Sequence, residues 1–117
     1  MLDKKAILNS NDLPQEELTI PQWDGILFVR TLSGSERDEF EQSCISKRGS
    51  DKGVNLKNIR ARLAVLCICD DKGKRLFDAR DIEALGKKSA KALDLVFDVA
   101  QRLNGLGAKE IDELSGE

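Results

Sequence analysis

Apolar residues recur most regularly between Ser89 and Asn104, where Leu93, Val96, Phe97, Ala100 and Leu103 keep the three-and-four spacing of one helix face. Lys91, Asp94, Asp98, Gln101 and Arg102 fall largely on the opposite face. Both ends of this amphipathic helix are specified locally. Ser89 can cap its first turn, while Asn104-Gly105 offers a left-handed terminus with Leu106 placed to fold back on the last turn.

The pattern changes at Glu17. ELTIPQW and ILFVRTL are β-rich runs joined by Asp24-Gly25, the dipeptide favoured by a two-residue hairpin turn. A turn centred there sets Trp23 opposite Ile26 and Pro21 opposite Phe28 on one side, and groups Leu18, Ile20, Leu27 and Val29 on the other. With both faces apolar, one small core covers one of them, and the second needs another segment or another molecule. Pro21 cannot donate a ladder hydrogen bond, which makes the first strand an edge.

Ser33 with Glu36 and Ser35 with Asp38 have capping-box spacing, predicting a helix from about Ser35 to Ser46 with Phe40 and Cys44 inward. Residues 47–54, KRGSDKGV, read as a polar loop. Asn55 is placed to cap a helix through LKNIRARLAVLCIC, whose end from Leu63 to Cys69 is apolar all round and therefore central. A turn at DDKGK and a short extended piece at Arg75–Phe77 follow; Asp78 then caps a short helix stopped by Gly86. The expected fold is mainly α within an α+β class: a small helical domain of four to five helices with an N-terminal two-stranded hairpin. Residues 1–15 read as an arm with Leu2 and Ile7 touching the body, 16–106 as the domain, and 107–117 as an acidic tail or short helix.

Composition narrows the function. The 117 residues carry a net charge of −2, acidic at both ends and mildly basic between. Arg60, Arg62, Lys74 and Arg75 are interleaved with acids instead of forming a basic stripe, which argues against nucleic acid. Histidine is absent, removing the commonest general base and zinc ligand. Three cysteines in apolar surroundings, with no export-signal pattern at the start, point to a reducing cytoplasm. No run approaches the roughly 20 apolar residues needed to span a bilayer.

The candidate motifs take bland readings. Cys67-x-Cys69 lacks a second ligand pair, Asp70–Gly73 lacks the alternating acids of a calcium loop, and Gly105-x-Gly107 follows a helix instead of opening one. No serine, threonine or cysteine has an identifiable base partner. No catalytic, metal or cofactor site is expected. The apolar excess over one small core instead makes Trp23, Ile26 and Phe28, with Ile111 and Leu114 in the tail, the candidate partner-binding residues.

Several phrases in order carry a family resemblance: the lead-in from Asp12 to Glu17, Pro21–Gly25, the run Val29-Arg30-x-Leu32-Ser33-Gly34-x-Glu36-Arg37-Asp38-x-Phe40-Glu41, Asn58-x-Arg60-Ala61, Gly73-Lys74-x-Leu76-Phe77, and Ala92-Leu93 through Leu106. Together they resemble the small tail assembly chaperones of long-tailed bacteriophages, over nearly the whole chain. The resemblance implies a non-enzymatic factor acting in the bacterial host cytoplasm and absent from the mature virion. It would bind the tape measure protein and promote tail tube assembly. The resemblance further implies that a longer frameshifted form contacts the tail tube protein. Self-association is a further use that the apolar excess itself allows. Two readings of other classes stay open: a connector retained in the virion, and a small nucleic-acid-binding regulator.

Overall fold

The computed structural model describes residues 1–48 and 51–106. In chain order the elements are α1 (Lys4–Leu8), β1 (Gln15–Ile20), β2 (Gly25–Arg30), α2 (Gly34–Ser43), β3 (Ile45–Arg48), β4 (Asp51–Val54), α3 (Ile59–Cys67), β5 (Ile68–Cys69), α4 (Ile82–Gly86) and α5 (Ala90–Asn104). Two 3₁₀ turns, Pro21–Trp23 and Ala79–Asp81, join them. The fold is the expected helix-rich α+β, with an antiparallel sheet in the order β1-β2-β5.

The α5 helix forms as its local signals dictate. Ser89 Oγ accepts from the Ala92 amide at 3.3 Å, and Gly105 closes the helix at φ 66°. The Leu106 amide bonds back to the Gln101 carbonyl at 2.8 Å, which drops the Leu106 side chain into the core. Ala92, Leu93, Val96 and Ala100 form the buried stripe. It packs against α3, whose residues Ala61–Cys67 are all buried, as the apolar run from Leu63 requires. On the third side of the core lie Leu18, Ile20, Leu27 and Val29, one face of the hairpin.

Four expectations are corrected. First, the hairpin turn is four residues long, not two. Pro21, with φ already fixed, starts a helical turn that Asp24 reverses at φ 52°, so Ile20 pairs with Gly25. Thr19 then lies opposite Ile26 and Glu17 opposite Phe28; Trp23 and Pro21 leave the strand. Second, the described residues of 47–54 are strand, not loop: Ile45 pairs with Val54 and Lys47 with Lys52, while residues 49–50 lie outside the described residues. The Asn55 amide donating to the Cys44 carbonyl at 2.8 Å closes the base of that ladder.

Third, α3 is shorter at both ends than its apolar run. It starts only at Ile59, behind a left-handed Asn58 (φ 55°), leaving Leu56 49% exposed. It stops at Cys67 because Ile68 and Cys69 pair with Val29 and Phe28 along the free edge of β2. Fourth, Leu2 and Ile7 are not packed into the core. They are 73% and 55% exposed, and no residue of α1 is buried.

A side chain packed against the backbone explains one glycine. A Cβ on Gly86 would sit 2.8 Å from Asn58 Oδ1, and Asn58 is already held in the left-handed region. Gly86→Ala is therefore expected to lower stability by about 1–2 kcal/mol, the range for overpacking, read from chemical denaturation midpoints. An unchanged midpoint would show that Asn58 moves freely.

Candidate interaction surface

The sequence-level candidates separate in space. Trp23 ends the 3₁₀ turn at the hairpin tip and packs on the core side, whereas Ile26 (58% exposed) and the half-buried Phe28 lie on the opposite, outer face of the sheet. Ile111 and Leu114 lie outside the described residues.

Trp23 gains neighbours that its sequence position did not announce. Phe77 enters just ahead of the second 3₁₀ turn. Asp78 fixes that turn by accepting from the Arg80 amide (2.9 Å) while its own amide donates to Asp81 Oδ2 (2.9 Å). The chain then delivers Ala84 and Leu85 on α4. Trp23, Phe77, Ala84 and Leu85 line a shallow, almost wholly apolar groove of about 270 Å³, with Asp81 and Lys88 on its rim. Leu85 is its buried floor, and Trp23 and Phe77 are its half-buried walls. Groove residues obey the same spacing as core residues, so periodicity alone assigns them to the interior.

A second, polar cleft of about 780 Å³ lies at the other end of the hairpin, between Asn11–Gln15 and the turn Asp71–Gly73, with Arg30 at its base. Arg30 is 7% exposed. Its Nη2 donates to Glu36 Oε2 at 2.6 Å, and Arg75 Nη1 lies 3.5 Å from the same oxygen. Glu36 Oε1 accepts from the Ser33 amide (3.0 Å) and Ser33 Oγ accepts from the Glu36 amide (3.2 Å), so one carboxylate serves both the helix cap and two arginines. Burial pushes the Glu36 carboxyl up, but the Ser33 amide and the Arg30 guanidinium outweigh it and leave it below its ordinary value.

Neither cleft presents an activated nucleophile. Burial drives the Cys67 thiol up to about 12, so it stays protonated at neutral pH, and Cys69 is raised for the same reason. What the surface offers is an apolar depression at one end of the hairpin and a hydrogen-bonded frame at the other. Residues 3–115 match the sequence profile of the phage tail assembly chaperones.

The chain belongs to this family.

The fold agrees: the solved tail assembly chaperone of bacteriophage HK97 superposes with a TM-score of 0.59, covering 86% of this chain and 96% of that one at 14% identity. No curated protein sequence matches. At that identity the shared features are those of the backbone, so the surface of this tail assembly chaperone has to be read from its own side chains. Among the described residues no helix is long and apolar enough to cross a membrane.

Proposed function

We propose that this chain binds and solubilises the tape measure protein and promotes tail tube assembly around it, without making or breaking a covalent bond. It acts in the host cytoplasm and is left out of the finished virion. The observation that carries this reading is the open apolar groove at Trp23 and Phe77 in a member of the tail assembly chaperone family. A depression of about 270 Å³ takes one or two apolar anchors of an amphipathic client helix, the mode in which side chains at i and i+3 or i+4 enter a hydrophobic slot. Each such contact is weak, and a long client covered by many copies becomes soluble through their number. Ile26 and Phe28 on the outer sheet face supply a second, smaller contact.

Co-expression with the tape measure protein of the same phage tests this. The wild-type chain is expected to keep the client soluble and to copurify with it. Ala84→Glu places a charge on the exposed groove wall without touching the core, and is expected to return most of the client to the insoluble fraction. Equal solubility with wild type and Ala84→Glu would exclude the groove as the client site. Finding the chain in purified virions by mass spectrometry would favour a connector instead.

A further inference from the structure

The N-terminal helix is the part of this molecule that its own fold leaves unexplained. α1 has five residues, is capped by Asp3 accepting from the Ala6 amide at 2.8 Å, and presents Ile7 and Leu8 at 55% and 71% exposure, with Leu2 just ahead of it at 73%. Isolated helices shorter than about 12 residues are marginal in water, so such a turn persists only when its apolar side chains are covered. No described residue covers them. The same molecule has an apolar groove with no described residue filling it, sized for branched aliphatic side chains.

We infer that the resting occupant of the Trp23–Phe77 groove is the N-terminal arm of a second copy, and that a client gains the groove by displacing that arm. This rests on the groove being the client site, as proposed above. Geometry favours a neighbour over the same chain. The arm leaves the body at Pro14, whose carbonyl accepts from the Thr31 amide at 3.1 Å, at the base of the hairpin. The groove lies at the hairpin tip, the length of six-residue β1 away, about 20 Å. To reach its own groove the linker Asn9–Leu13 would have to run fully extended along the strand; a neighbour's tip can meet the arm where it stands. Because donor and acceptor surfaces are different patches at opposite ends, the contact is heterologous: a copy that receives an arm still has its own arm to give.

The full-length chain tests this with two variants that spare the core. Ile7→Ser/Leu8→Ser disables the arm, and Ala84→Glu disables the groove. Sedimentation of wild type is expected to show self-association, and each variant alone is expected to be a monomer. An equimolar mixture is expected to stop at two copies, since it holds one working arm and one working groove per pair. The single tryptophan, Trp23, gives a second readout. Adding a synthetic peptide of residues 1–10 to the arm variant is expected to shift its emission to the blue and saturate, with no shift in Ala84→Glu. A mixture that stays monomeric, an arm variant that associates like wild type, or an emission that ignores the peptide would overturn the arm proposal. If the arm peptide binds but Ala84→Glu still solubilises the client, the arm contact stands and the groove loses its client role.

Discussion

Glu36→Gln is expected to lower stability by about 3 kcal/mol, a melting shift on the order of 10 °C, although the substitution removes no apolar contact. The amide can still accept from the Ser33 backbone, so the helix cap survives. What disappears is the negative charge shared by Arg30 and Arg75, leaving the Arg30 guanidinium, in a residue 7% exposed, with the Thr31 carbonyl at 3.4 Å as its other acceptor. Water solvates such a group in the unfolded chain but not in the folded one, and that imbalance is the cost. The exposed pair Arg37–Glu41 supplies the control: Glu41→Gln should change stability by less than about 0.5 kcal/mol.

The same carboxylate sets an acid dependence. Its folded pKa is depressed, so its stabilising contribution is complete above the unfolded value of about 4.3 and fades as pH falls through the lower folded value. Between pH 7 and 5 it should be flat. Denaturation midpoints taken down to pH 3 are expected to fall more steeply for wild type than for Glu36→Gln; parallel curves would mean that Glu36 is not the titrating group.

Arg62→Met is the second large effect, expected at about 3 kcal/mol. Arg62 is 9% exposed and its guanidinium donates to the carbonyls of Lys57 (2.9 Å), Ser43 (2.6 Å) and Asn55, and to Ser43 Oγ (2.8 Å). Those acceptors belong to the chain on either side of the β3–β4 ladder. Methionine fills much of the volume but leaves these part-buried carbonyls without their donor. Hydrogen exchange should therefore accelerate in residues 45–54 more than in α5. Arg62→Lys is expected to recover only part of the loss, because an ammonium lacks the planar fork that reaches several acceptors at once. Uniform acceleration across the molecule would show that Arg62 acts on the core as a whole.

Features specified by neighbouring residues were legible in the sequence. Ser89 and Gly105 bound α5, Ser33 and Glu36 form the capping box, and the grouping of Leu18, Ile20, Leu27 and Val29 on one face follows from alternation, although which face turns inward does not. Features specified by distant residues were not. Nothing near Arg62 in the chain announces that Ser43 will accept from it. Asn104 looks like a helix terminator, yet its Oδ1 accepts from the Leu32 amide at 2.7 Å and its backbone carbonyl from Arg37 at 2.8 Å, tying the end of α5 to the start of α2. The hairpin register failed on a competition between two turn formers, Pro21 acting before Asp24-Gly25. The ladder at residues 45–54 carries no alternating apolar pattern, and Ile68-Cys69 continues a helical run until the edge of β2 captures it. Of the candidate surface, Trp23 was found and its partners Phe77 and Leu85 were not, because they are brought to it by the turn at Asp78.

The antiparallel pairing of Phe28 with Cys69 and Val29 with Ile68 has a consequence for synthesis. The central strand of the sheet is translated well before the strand that completes it, by roughly 2–8 s at ordinary bacterial elongation rates. Throughout that interval the nascent polypeptide holds an adhesive border open on the ribosome. Premature termination upstream of Ile68 would release a fragment with that border permanently bare, so truncated products should clump while the full-length protein stays dispersed.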